Sequence, residues 1–346
     1  MHLTAAGMVC SVGLSARAAC AAMRAGIAGF AELPFHDRQN EPIIGASIPA
    51  PGLGTRRRSR LVRLLALALE DLRRVRPDKD WKKVPLLVGL AEVNRPGGAE
   101  DLVATVVDEV QQMLGVQFHP SLSTALPLGH VAGLAGMQLA RESARNGSAP
   151  ESVVSGVDSY VNGAALDWLE KEHRLKTPDN TDGVIPGEAA AAVLVENRPT
   201  MGAAQIVGLG FGHEKAGVLS EEPLLGLGLA DAGRKALAEA ALGFHEIDFR
   251  LSDVTGENYG FREHTLAHAR LMRVVRHEDH AMWHAADSIG DTGAAAGVVQ
   301  LVMAMAAWGK AYAPGTRAAC FTSSVPGERA VAILRRSEAR GREHGL

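Results

Sequence analysis

The residues best placed to do chemistry lie in two glycine-rich segments, Gly129-His130-Val131-Ala132-Gly133-Leu134-Ala135-Gly136 and Gly290-Asp291-Thr292-Gly293-Ala294-Ala295-Ala296-Gly297. In each, a glycine, a polar side chain and a further glycine seven residues after the first open a small-residue helix. Small residues at such spacing let a helix approach a neighbour closely, and a helix start presents unpaired amides to an anion or a thioester oxygen. Either segment alone is read equally well as a tightly packed helix with no chemistry. Together they imply a pseudo-twofold with paired helix starts at its centre. Two other patterns carry less. His264 and His268 stand four apart on a predicted helix, a metal-ligand spacing, but the HExxH glutamate is absent and Arg262 and Arg270 flank them, so a solvated helical face is expected. Cys10, Cys20 and Cys320 are odd in number and form no CxxC pair, which argues against a disulfide framework or a zinc knuckle. A reducing cytoplasm follows, with Cys10 as a packed small side chain.

The elements that must hold these segments read as α/β. Short apolar runs alternate with helical patterns from end to end. Helices are predicted over 15–24, 58–76, 101–114, 230–242, 261–275 and 293–308, and strands over 86–90, 152–156, 190–195, 205–209, 249–254, 318–321 and 330–334. Gly26 and Gly115 close two of the helices. The run at 56–60, RRRSR, reads as a solvated helix start. The break at 196–199 divides the chain into two similar halves, 1–198 and 199–346. The 36 Lys and Arg against 39 Asp and Glu leave a net charge of −3, so no global field draws in nucleic acid or an anionic membrane. No apolar run reaches the ~18 residues a membrane span needs, and the opening residues lack the basic start of a secretion signal.

Across nearly its full length the chain resembles the β-ketoacyl synthases of the thiolase superfamily. LTAAGMVCSVGLSARAACAAMRAGIAG is similar to the family's opening strand, loop and helix, and STALPLGHVAGLAGMQLARESARNG with VVSGVDSYV to its nucleophile segment and following strand. TPDNTDGVIPGEAAAAVLVE resembles the DGF-x-x-GEGAG segment, with Asp182, Gly183, Gly187 and Glu188 in place. EIDFRLSDVTGENYG stands where a strand leads to the HGTGT motif, and ADSIGDTGAAAGVVQLVMA where the KS-x-x-GHT-x-GAAG motif belongs. The resemblance implies a thiolase-like fold, two pseudo-twofold-related α/β halves in an α-β-α-β-α arrangement. It also implies a dimer, with the strand at 152–156 near the interface, and structural roles for Asp182 and Glu188.

The family's chemical residues are not carried over. Its cysteine falls on His130, its two histidines on Asp253 and Asp291, its lysine on Ala286, and its GFGG gating loop on Ser324-Val325-Pro326-Gly327, where the proline implies a stiffer loop. A ketosynthase needs a thiolate to accept the acyl chain and two imidazole N–H donors for the enolate formed on decarboxylation. Ionised aspartates cannot donate. The expectation is a non-condensing, ketosynthase-like pseudoenzyme without cofactor or metal, serving in the cytoplasm as partner subunit or adaptor. Its expected partners are a second copy, a ketosynthase, a protein client such as a bacterial secretion effector, or an acyl-CoA or acyl carrier protein. The competing expectation is an acyltransferase or thioester hydrolase acting through His130. For the trio itself three readings stand side by side: a two-carboxylate, one-histidine metal site, a proton-transfer unit with His130 held as imidazolium, and a polar cluster that refills a vacated pocket.

Overall fold

The computed structural model describes residues 1–49, 56–98, 100–198, 200, 203–276, 278 and 280–337. In the first half the elements run β1 (His2–Cys10), α1 (Ala16–Arg24), β2 (Ala31–His36), β3 (Pro42–Gly45), α2 (Arg57–Val75), β4 (Leu86–Leu90), α3 (Val106–Leu114), β5 (Thr124–Pro127), α4 (Ala132–Arg145), β6 (Glu151–Ser159), α5 (Gly163–Lys171) and β7 (Glu188–Glu196). The second half has β8 (Ala204–His213), α6 (Leu227–Ala240), β9 (Phe249–Ser252), α7 (Asn258–Leu271), β10 (Met282–His284), α8 (Ala286–Ile289), α9 (Ala296–Gly309), β11 (Arg317–Ser323) and β12 (Glu328–Arg336). Several of these follow from local chemistry. Ser15 caps α1, its hydroxyl accepting from the Ala18 amide at 3.2 Å. Gly115 ends α3 in the left-handed conformation, at φ 62°.

Ten strands are linked in the order β10-β9-β11-β12-β8-β1-β7-β6-β4-β5, while β2 and β3 form a separate hairpin. Read outward from the β1/β8 contact, each half presents its first, fifth, fourth, second and third strand of this sheet. The strand directions match as well: β6-β4 and β4-β5 are parallel, as are β11-β9 and β9-β10, while β1-β7, β7-β6, β8-β12 and β12-β11 are antiparallel. Across the middle, His2 pairs with Gln205 and Leu3 with Ala204.

Three apolar clusters define the layers. Leu134 and Met137 of α4, with Val298 and Leu301 of α9, pack between the two halves against Leu87 and Val154 on one side and Leu251 and Cys320 on the other. On the outer face of the first half, Leu61, Leu65 and Leu69 of α2 cover Val88, Val157 and Ala192. On the outer face of the second, Leu229 and Ala236 of α6 cover Ala319 and Val331. Successive strand residues point to opposite faces, so Leu87 reaches the central layer while Leu86 and Val88 reach α2. Strands buried on both faces must be apolar throughout, which is why LLVGL and EAAAAVLVE show no alternation. The central helices touch at a glycine: a Cβ on Gly133 would stand 2.8 Å from Val298 Cγ2.

Several sequence expectations need correction. The helix predicted over 101–114 is a 3₁₀ turn at Glu100–Leu102 and then α3, and the one predicted from Gly293 begins with a 3₁₀ turn at Gly293–Ala295. β6, expected near an interface, lies between β4 and β7 with both edges paired, so it cannot pair with another chain; in this half the open edge belongs to β5. Nor is the start of α2 simply solvated. Arg58 pairs with Asp101 and Glu109, and Arg60 with the fully buried Glu188, which also accepts the Ile48 amide at 2.7 Å. Among the described residues no helix is long and apolar enough to cross a membrane.

Candidate functional site

His130 lies in a 3₁₀ turn, Gly129–Val131, just before α4. Gly129 takes φ 61°, and a Cβ there would stand 2.1 Å from the Glu92 carboxylate, so a larger residue would displace that carboxylate. Asp291 follows α8 and is clamped by its own backbone: its amide donates to the Ile185 carbonyl at 2.8 Å, and its carbonyl accepts from the Gly187 amide at 3.0 Å. Asp253 follows β9 and accepts from the Ser323 amide at 2.7 Å.

These elements bring all three side chains to one cavity of about 60 Å³. His130 Nε2 lies 2.9 Å from Asp291 Oδ1, which also accepts from the Gly293 amide at 2.9 Å. His130 Nδ1 is buried without a hydrogen-bond partner and has Glu92 Oε1 at 4.0 Å. Burial by itself would pull the His130 pKa down. The Asp291 charge and hydrogen bond, with the charges of Asp253 and Glu92, outweigh it and raise the value to about 9. Asp291 is held below the usual carboxylate range by His130 despite its burial. Burial pushes Asp253 up to about 6, against the pull of His130 and the Ser323 amide. At neutral pH the site therefore contains an imidazolium locked to one carboxylate, with a second carboxyl close to its own titration point.

The surroundings are built from further buried charges. Arg329 donates to Glu263 at 2.7 Å and to the Tyr259 hydroxyl at 2.9 Å, and Arg174 is bidentate to Glu257 at 2.7 and 2.8 Å. Beneath the Asp291 loop, Asp158 accepts from Arg95 and from the Ala294 amide, both at 2.9 Å. The Ser324–Gly327 segment is a tight turn between β11 and β12, closed by the Ser324 amide on the Glu328 carbonyl at 2.9 Å. The Ser324 hydroxyl donates to the Leu128 carbonyl at 2.6 Å and accepts from the Val131 amide at 3.2 Å, fastening this turn to the His130 turn. Glu92 and the Arg95–Asp158 pair were not singled out in the sequence, and Ser324 was named only as part of the loop in the place of GFGG. Asp158, a lone charge in the apolar run VVSGVDS, is the signal that could have found that pair.

The His264 expectation is overturned. Its ring is buried, with Nε2 2.9 Å from Ser252 Oγ and its centroid 5.3 Å from that of Phe321, because the His264, Ala267 and Leu271 face of α7 packs inward and the Ser252 hydroxyl supplies a partner for a neutral imidazole. Burial, aided by Arg250 and Arg329, pulls its pKa down to about 3. His268 lies instead beside Phe244 and His280, with centroids at 5.4 and 5.6 Å. No group of three His, Cys, Asp or Glu among the described residues is arranged to hold a metal ion. All three cysteines are buried and none lines the cavity; burial raises the Cys10 thiol to about 11 and the Cys20 thiol to about 12.

No protein-family model matches the chain, and no curated protein matches it. Solved structures do. The ketosynthase domain OzmH KS7 of the oxazolomycin system from Streptomyces albus JA3453 matches with a TM-score of 0.79 at 16% identity, over 98% of this chain and 75% of that one. A structure of the ketosynthase ApeO in complex with its chain length factor ApeC, from Xenorhabdus doucetiae, matches with a TM-score of 0.78 at 13% identity, over 97% and 98%. The fold is that of the thiolase-like ketosynthases. The ishigamide ketosynthase/chain length factor, at a TM-score of 0.71 and 19% identity over 97% and 99%, shares it. On this fold, the chain carries the His130–Asp291 contact just before α4.

Proposed function

We propose that the protein is a non-condensing, ketosynthase-like partner subunit or adaptor, in which the fold is kept for association and the former reaction centre is a structural ion-pair cluster. The observation that carries this reading is the His130–Asp291 contact at 2.9 Å inside a cavity of about 60 Å³. That volume is well below the ~300–1,000 Å³ of small-molecule sites. An imidazole protonated up to about pH 9 has no lone pair on either nitrogen, so it cannot attack a thioester. Carboxylates facing a developing enolate would repel it, and even the loss of a single donor costs ~2.7–4 kcal/mol of transition-state stabilisation. Acyl transfer through His130 has no comparable observation in its favour.

Association is assigned to the free edge of β5, which directly precedes the His130 turn. Thr124 is exposed there, while Ala125, Leu126 and Pro127 are half-buried. The structural relatives include a ketosynthase solved with its chain length factor, in keeping with a paired assembly. Two measurements test the proposal. Incubation with acyl-CoA and malonyl-CoA, followed by release of free thiol and carbon dioxide, is expected to show no turnover; turnover that disappears in His130→Ala would overturn it. Light scattering of the purified chain, alone and mixed with a ketosynthase from the same host, is expected to show a dimer that Thr124→Lys weakens, because charge blunts strand pairing at an edge.

A further inference from the structure

A second pocket, sharing no residue with the His130 cavity, opens beside β10, which among the described residues is the last strand of the sheet and is paired with β9. It encloses about 430 Å³, within the ~300–1,000 Å³ range of small-molecule sites. Its wall is formed by Met23 of α1, Met282 and Trp283 of β10, Met303 of α9 and Tyr312 of the loop beyond. Thioether side chains are unbranched and polarisable and mould themselves to an apolar guest. The Trp283 and Tyr312 rings, 6.1 Å apart and inclined by 34°, extend that surface.

The charge-bearing side chains at the pocket are Arg24, His284 and Asp287. His284 Nε2 stands 3.1 Å from Asp287 Oδ2. Arg24 is exposed at the rim, with its guanidinium 4.2 Å from the Tyr312 ring centroid, and it forms no ion pair or hydrogen bond with any described residue. Its position over an aromatic face presets the guanidinium without neutralising it. Within the pocket, His284 Nδ1 is buried and unpartnered, leaving a nitrogen for a polar ligand atom. An apolar wall with one uncompensated cation at its rim is complementary to a guest with an apolar body and a single anionic head.

We propose that this pocket binds a small monocarboxylate with an aliphatic or arylalkyl body, the carboxylate on Arg24 and the body against Met23, Met303 and Trp283. The site is independent of the function assigned to the His130 cavity. The test is calorimetric titration of the full chain with octanoate, 4-phenylbutyrate and 1-octanol. Both carboxylates are expected to bind with sub-millimolar affinity. Arg24→Gln, an exposed change, is expected to weaken them about tenfold, the order expected for one charge-assisted hydrogen bond, while leaving 1-octanol unchanged. Met303→Trp, which fills the pocket, should remove binding of all three, and Met23→Trp serves the same purpose if the former does not fold. Failure of both carboxylates to saturate at millimolar concentration, or unchanged carboxylate binding in Arg24→Gln, would overturn the proposal.

Discussion

Asp291→Asn removes the charge that holds His130 while leaving an oxygen able to accept from the Gly293 amide, so the substitution isolates the ion pair. A move of the His130 pKa from 6.5 to about 9 represents about 3 kcal/mol of preference for the imidazolium, at ~1.36 kcal/mol per pH unit. Removal of one partner from a buried pair costs ~3–5 kcal/mol, which agrees with that figure. The sign with pH follows from linkage. Because the folded value is raised, the stabilisation is fully present below pH 6.5 and is lost as pH rises through about 9. Urea unfolding of the parent and the variant at pH 6 should therefore show the variant less stable by about 3 kcal/mol. By pH 10 the gap should close or reverse, because the parent then buries the Asp291 carboxylate against a neutral ring. An equal gap at both pH values, or none at pH 6, would refute the reasoning.

Three further outcomes follow from the same geometry. Asp253 has a raised folded pKa of about 6, so its carboxylate is a liability that grows as pH rises from 3.8 through 6; Asp253→Asn should gain about 3 kcal/mol on the parent between pH 3.8 and pH 7 in urea melts. His264 is the opposite case: depressed to about 3, it stabilises the fold above pH 6.5 and loses that contribution as pH falls through 3, so His264→Phe should flatten the acid limb of the stability profile measured by circular dichroism. A Cβ on Gly156 would stand 2.3 Å from the Ala294 carbonyl oxygen, so Gly156→Ala should cost about 1–3 kcal/mol and shift the Asp291 loop, as read by the midpoint of thermal unfolding and by hydrogen exchange at 290–297.

Much of the fold was legible because its strands are buried on both faces. A run such as LLVGL cannot be a surface element, and the small-residue starts of α4 and α9 mark helices that must approach each other at Gly133 and Val298. The short edge strands were not legible: β5 is four residues ending in proline, β10 is three, and neither has length enough for a periodic pattern. The site was legible only in part. His130 and Asp291 occupy corresponding positions in two glycine-rich segments, whereas Glu92 comes from a connection whose place is set by tertiary packing. His264 was misread for the same reason, since the Ser252 hydroxyl that satisfies it belongs to β9, an element separate from its own helix.

The proposed function depends on His130 being a protonated, carboxylate-bound ring. Nitrogen-15 NMR of the histidine-labelled chain at pH 7.5, with the His130 signal assigned through its loss in His130→Gln, tests this directly. Both ring nitrogens should carry protons, with deprotonation only near pH 9. A neutral His130 ring at pH 7.5, with one nitrogen bearing a free lone pair, would contradict the account and return acyl chemistry to the site.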